Sequence, residues 1–380
     1  MFSHYRIQFF LVIAAIIATV SYSALKLAPQ KNSNKDSTSF FNCKPDSTSY
    51  IYAPGMLGTE ILMGRYCPSF VASTGEKITW NSGGHTIGQP HTAVRFPESN
   101  LAKPCFTLNP FKAFINSYRN DLFPLIQRTL QEMYNFNIEE NPASAHSVIN
   151  YTFNFSQANL GQWKDINCLC KTYKKHRLDY PNTDIVLYGD SRGGTTIFNF
   201  IATHKPQRVK AAILEGVFDN IGHCIKHFLF SNKSPAQEEK IHNMLSFCIG
   251  NYDKNGICPR TLVNTISDDI PLLFVTSLKD GLVPPQSTMY LYTCLKARGF
   301  KKIHLLVLQK SLHPCYMIGD ADDKNLYETV THAFYKQYGL AYDEQKAIEG
   351  KKTFEKTQPS TEELTKLYHL PQCSLCEASK

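Results

Sequence analysis

Residues 185–194 read IVLYGDSRGG, and how that stretch must be accommodated decides the fold. Ile185, Val186, Leu187 and Tyr188 form an unbroken apolar run, the composition of a strand buried on both faces. Beyond the glycines, Ile197, Phe200 and Ile201 recur at the spacing of one helix face, which predicts a helix over residues 195–204. Ser191 then lies on the turn between strand and helix. A reversal within so few residues brings backbones together. Gly189 and Gly193 are therefore expected to lack side chains for steric reasons, while the serine between them carries strain.

Working outward, strand-like runs alternate with helix-like ones. Residues 49–53, 92–96, 150–155, 209–214, 271–276 and 303–308 read as strands, and residues 163–176 and 324–338 as helices. This order predicts an α/β fold: a mostly parallel central sheet with helices on both faces. Two segments interrupt the alternation. Residues 110–133 look helical, and residues 219–269 form a helical insertion where a lid over a site at the sheet edge would attach. The glycines of NSGGHTIG (Gly83, Gly84, Gly88) read as a loop, since no Lys-Ser or Lys-Thr follows to make a phosphate cradle. Beyond Ala341 the composition turns polar, and Ser360-Thr361-Glu362-Glu363 is a capping box opening a short helix, so residues 341–380 are expected to form a peripheral tail.

With 380 residues, 43% hydrophobic and 19% charged, the chain suits one large globular domain over residues 49–340 with appendages. At the N-terminus, Arg6 precedes the uncharged run FFLVIAAIIATV (residues 9–20) and small residues at Ser21, Ser23 and Ala24. Residues 1–25 are thus read either as a signal peptide cleaved near Ser23 or Ala24, or as an uncleaved membrane anchor. Either places the domain outside the cytoplasm, and residues 26–48 read as a flexible tether. The 12 cysteines are consistent with disulfides in an exported domain. Cys224, Cys248 and Cys258 cluster in one segment where a bridge is plausible, whereas Cys168 and Cys170 on a helix should not pair. Cys373 and Cys376 form a C-x-x-C without a second pair, which favours a tail disulfide or free thiols over a metal. The net charge of +8 includes KTYKKHR (171–177) and RGFKK (298–302). These read as solvated helix faces, with anionic membrane surfaces as the alternative partner, and no nucleic-acid motif accompanies them.

The chemistry centres on Gly189-Asp190-Ser191-Arg192-Gly193, a G-x-S-x-G turn that exposes a serine hydroxyl above a sheet. A serine hydroxyl needs a base within reach, itself oriented by a third group. Asp280 follows the strand at 271–276 and His313 follows the strand at 303–308, so both belong to the carboxyl edge where sites in open α/β sheets gather. Asp280 could equally cap the turn before Gly281, and His313 could be a satisfied core histidine. Asp268, Asp269 and Asp320 are weaker candidates for the acid because none immediately follows a strand. Arg192 is expected to pair with Asp190 or another acid in preference to binding a substrate carboxylate.

The order Ser191, Asp280, His313 on successive strand ends resembles the α/β-hydrolase superfamily. The resemblance implies a serine nucleophile, a histidine base and an acid that fixes its tautomer, with no metal or organic cofactor. It implies oxyanion donors at the backbone N–H of Arg192 and of Met56, although Pro54-Gly55 stands where the family often has His-Gly. The expected activity is hydrolysis of a small-molecule or lipid-like ester through an acyl-enzyme. A peptidase of the same superfamily is the alternative, as is a catalytically silent binding protein on the same fold.

Overall fold

The structure is a computed structural model that describes residues 48–53, 55, 91–93, 159–229, 239, 241–243, 245–246, 252–313, 316 and 320–371. Its centre is a six-stranded sheet: β1 (Thr48–Ala53), β2 (His91–Ala93), β3 (Asp184–Asp190), β4 (Val209–Glu215), β5 (Leu272–Ser277) and β6 (Ile303–Leu308). The spatial order is β2-β1-β3-β4-β5-β6, and every pairing is parallel.

The IVLY run behaves as a doubly buried strand must. Ile185 and Leu187 enter the core on one face, while Val186 and Tyr188 enter the core on the other. On the first face the sheet packs against α1 (Trp163–Asp179), α2 (Arg192–His204) and α5 (Pro285–Ala297). On the second it packs against α6 (Ala321–Gln337) and α7 (Glu344–Phe354). Short helices α3 (Ile221–Leu229) and α4 (Pro259–Leu262) lie between β4 and β5, and α8 (Thr361–Tyr368) follows α7.

Three expectations change. Helix α5 has no counterpart in the reading of the sequence, because Met289, Tyr290, Leu291, Tyr292, Cys294 and Leu295 are all buried and so erase the helical period. A parallel β5–β6 pair nevertheless requires a crossover, and Pro285 in the first turn starts the helix there. The segment after Ala341 is not peripheral. Tyr342, Ala347 and Phe354 join one core, Leu364 and Leu370 join the other, and the Thr357 carbonyl accepts from the Leu305 N–H at 2.7 Å. Its exposed positions are mostly polar, Ile348 and Leu367 apart, which masked the buried stripe. The Ser360 hydroxyl does cap α8, accepting from Glu363 N–H at 3.1 Å. Finally, Cys168, Cys170, Cys224 and Cys258 are free thiols, so neither Cys224 nor Cys258 supplies the bridge proposed for that segment.

Other readings fall outside the described residues: the N-terminal run at 9–20, the tether, the strand at 150–155, the helix at 110–133, Cys248, and the Cys373–Cys376 pair. Among the described residues no helix is long and apolar enough to cross a membrane. The insertion is described only in part. Ile241, Leu245 and Tyr252 form a small core with Leu160, and Gln162 is hydrogen-bonded twice to the backbone of Asp253 (2.6 and 2.9 Å).

If the C-terminal segment is integral, Phe354→Ala should lower unfolding free energy by about 3 kcal/mol, as loss of a buried aromatic ring does. Urea denaturation monitored by circular dichroism checks this, and a change below about 0.5 kcal/mol would mark the segment as an appendage.

Candidate active site

Because all six strands run parallel, the ends of β3, β4, β5 and β6 share one edge, and the candidate residues meet there. β3 ends at Asp190 and α2 begins at Arg192, leaving Ser191 as the single residue between them. Its backbone, at φ 52° and ψ −116°, is strained for a residue with a side chain. Two close fits hold that geometry. The Ser191 N–H donates to the Glu215 carbonyl at 2.7 Å. An added Cβ at Gly189 would lie 2.6 Å from the Gly193 carbonyl carbon, so the strand and helix backbones touch as the motif requires.

Asp280 caps the turn before Gly281 and also contacts His313. One carboxylate oxygen caps the turn, accepting from the N–H groups of Leu282 (2.9 Å) and Val283 (2.8 Å). The other lies 2.7 Å from Nδ1 of His313 and also accepts from the Tyr316 hydroxyl. Burial by itself would push His313 down, but the Asp280 charge and hydrogen bond outweigh it and hold the imidazole above its ordinary pKa. Burial and the adjacent carboxylate push the Tyr316 phenol well up, so it remains a donor to Asp280.

The loop that carries His313 is fixed from below by Asp323 near the start of α6. Its carboxylate accepts from the N–H groups of Gln309 (3.2 Å), Lys310 (2.8 Å) and Ser311 (2.7 Å) and from the Ser311 hydroxyl (2.7 Å). Sequence reasoning passed over Asp323, which looks like an ordinary helix-start acid. Asp320 is that helix cap, accepting from Asp322 and Asp323 N–H, and Asp269 accepts from Ser267. Neither they nor the exposed Asp268 reach His313.

The two residues flanking the serine have different partners from those expected. Asp190 does not pair with Arg192. It accepts from the Gly55 N–H at 2.9 Å and thereby draws the loop after β1 against the serine: an added Cβ at Gly55 would sit 3.2 Å from the Ser191 Cβ. Burial pushes the Asp190 carboxyl up to about 6, against the opposing effects of the Gly55 bond and His313. Met56, the residue expected to supply an oxyanion N–H from this loop, lies outside the described residues. Arg192 is fully buried and binds Asp165 of α1 through two parallel contacts, Nε to Oδ2 at 2.6 Å and Nη2 to Oδ1 at 2.5 Å. Burial pushes the carboxyl up to about 8 and the guanidinium down to about 9, and the fork-on-fork geometry opposes both shifts. The guanidinium is therefore committed to this pair.

A second polar cluster was not anticipated. Asp219, just beyond β4, is buried and binds Arg260 Nε (2.8 Å), His223 Nδ1 (2.9 Å) and the Ser287 hydroxyl. Its members are scattered over 219–287, and no spacing rule links them.

The description "Prolyl oligopeptidase family" belongs to the family model that matches residues 156–339, a span that includes Ser191, Asp280 and His313. No curated protein matches the chain. Among solved structures, the chain is similar to an acylaminoacyl peptidase of Pyrococcus horikoshii at 18% identity and a TM-score of 0.39, with 51% of this chain and 31% of that chain covered. The chain thus spans under a third of the length of that peptidase. It is also similar to a Pyrococcus furiosus esterase at 12% identity and a TM-score of 0.43, over 78% of this chain and 85% of that one. The esterase domain of a Rhodothermus marinus protein matches at 12% identity and a TM-score of 0.37, over 78% and 89% of the two chains.

The Arg192–Asp165 contact generates a stability test. Asp165→Ala leaves a buried, unpaired guanidinium and should cost about 3–5 kcal/mol in urea unfolding, whereas Asp165→Leu combined with Arg192→Met should recover most of that loss. Equal losses in the single and double variants would show that packing, not the unpaired charge, is responsible.

Proposed function

We propose that the chain is a serine hydrolase of the α/β-hydrolase superfamily and that it cleaves an ester through an acyl-enzyme, with Ser191 as nucleophile, His313 as base and Asp280 as the group that orients it. One observation carries the reading: His313 Nδ1 is held at 2.7 Å by a buried carboxylate, on the same sheet edge as a serine in a strained strand-to-helix turn. With Nδ1 so engaged, Nε2 is the nitrogen left to take the serine proton. Attack on the acyl carbon then expels the alcohol, which takes that proton from His313. Water activated by the same imidazole releases the acid and restores Ser191. The Arg192 N–H is one donor to the oxyanion in this scheme, and the Met56 N–H is the other by resemblance.

The apolar run at 9–20 supports catalysis outside the cytoplasm, beside a membrane where a lipid-like ester would be met. A second reading, hydrolysis of a peptide bond, is favoured by the peptidase family whose model spans the candidate residues. The two differ in the leaving group, since an amine depends more on protonation by His313 than an alcohol does.

A fluorophosphonate probe should label the wild-type chain and fail to label Ser191→Ala and His313→Ala. Comparing acyl esters of graded chain length with N-acylated peptides then separates the readings, an excess of kcat/KM on peptides favouring the second. Wild type that is folded yet unlabelled would move the chain to the binding-protein alternative.

The raised His313 pKa also predicts a pH profile. A base must be neutral, so kcat/KM should rise with pH through a midpoint above the ordinary value of about 6.5. Stability moves the opposite way: the Asp280–His313 contribution is complete below about 6.5 and is lost as pH rises through the raised folded value. Asp280→Asn should bring the kinetic midpoint down and lower kcat by roughly 10³–10⁴. A midpoint unmoved by that substitution would count against Asp280 as the partner.

A further inference from the structure

Glu215 ends β4 on the edge that holds the candidate triad, yet the steps above do not use its side chain. It is 1% exposed and attached to the site in two ways. Through the backbone, its carbonyl accepts the Ser191 N–H at 2.7 Å. The residue after it, Gly216 at φ 54°, forms a seat for the imidazole: a Cβ there would come within 3.2 Å of His313 Cε1 and Nδ1. Through the side chain, Oε2 accepts from the Tyr188 hydroxyl at 2.7 Å, and Tyr327 stands against the same carboxyl.

The groups facing this carboxyl are Tyr188 and Asp190 from β3, Tyr327 from α6, and Asp280 from the loop after β5. Tyr316 stands close to both Glu215 and Asp280. A further negative charge between two acids is costly at so deeply buried a carboxyl. Burial and the charges of Asp190 and Asp280 drive the Glu215 carboxyl well above the ordinary carboxylate range, against the opposing bonds from Tyr188 and Tyr327.

We propose that Glu215 is a positioning residue for the hydrolysis proposed above, whose hydrogen bond from Tyr188 holds the end of β4 so that Ser191 and His313 keep their mutual geometry. The proposal rests on that hydrolytic reading. Its physical basis is leverage: Glu215 and Gly216 touch the nucleophile's N–H and the base's ring from adjacent backbone units, so a small shift of the β4 terminus displaces both. Misplacement of reacting groups by about 1 Å is enough to lower rate on the order of 100-fold.

The test uses the full chain with a chromogenic ester and the fluorophosphonate probe. Glu215→Gln keeps an acceptor for Tyr188 and should retain kcat within about threefold, with the acidic limb of its pH profile unmoved. Glu215→Leu should lower kcat and the labelling rate by about 10- to 100-fold, with KM changed by less than about threefold. Tyr188→Phe removes the donor and should lower kcat by about fivefold or more. A folded Glu215→Leu with wild-type kcat overturns the proposal, and so does a Glu215→Gln as impaired as Glu215→Leu. A downward move of the acidic limb in Glu215→Gln also overturns it, since that would reveal a lost negative charge beside His313. If Glu215→Leu shows no cooperative melt, the other pair decides, and wild-type rates in both Glu215→Gln and Tyr188→Phe overturn the proposal. A folded but unlabelled wild type removes the hydrolytic reading and the Glu215 role together; a labelled wild type with unaffected variants removes the Glu215 role alone.

Discussion

The hydrogen bond from the Ser191 N–H to the Glu215 carbonyl closes the turn on which the rest of the site depends. Ser191 sits at φ 52°, in a conformation that costs on the order of 1–3 kcal/mol and persists only where its surroundings over-determine it. Those surroundings are rigid in every direction. β3 enters from a sheet buried on both faces, α2 leaves as a helix whose residues from Arg192 to Ala202 are all buried, and β4 supplies the carbonyl that the serine N–H must find. Strain at one residue is thus opposed by two cores packed against the same sheet.

Around that turn, carboxyl groups divide the labour according to environment. Asp280 accepts bonds at both oxygens and faces an imidazole, which suits a charged group. Asp323 accepts four bonds from the loop bearing His313, and these outweigh its partial burial to hold its pKa below the ordinary value. Asp165 meets a guanidinium in a parallel fork. Asp190 and Glu215 have hydroxyl or amide donors only, and burial pushes both upward. The same functional group therefore contacts an imidazole, clamps a loop, forms half of an ion pair, or lies buried against a hydroxyl, each set by which donors the fold brings to it.

The buried Arg192–Asp165 pair also links the serine turn to α1 and the residues before it. Asp165 Oδ2 accepts the Gly161 N–H at 2.8 Å, Asn199 of α2 donates to the Gly161 carbonyl at 2.9 Å, and Gln162 is bonded to Asp253 of the inserted segment. A charged pair is a costly way to join two helices, but its geometry is directional where apolar packing is not. Here it fixes the first residue of α2, next to Ser191 in the chain.

How much of this was legible in the chain depends on the range of each interaction. The IVLY run, the glycine turn and the strand-end placing of Asp280 and His313 are local patterns, because a doubly buried strand and a close backbone reversal constrain residues next to one another. The placing of Ser191, Asp280 and His313 beyond strand ends on one edge follows from the parallel alternation those patterns imply, whereas the strand order does not. Only the tertiary structure decided which acid faces which donor. Asp190 turned to Gly55 across 135 positions and Arg192 to Asp165 across 27, and no spacing encodes such pairs. It also decided that α5 is a helix and that the polar stretch after Ala341 belongs to the core. A helix buried all round and a helix with a narrow apolar stripe both lose the periodic signal, and burial is a property of the whole fold, not of the segment.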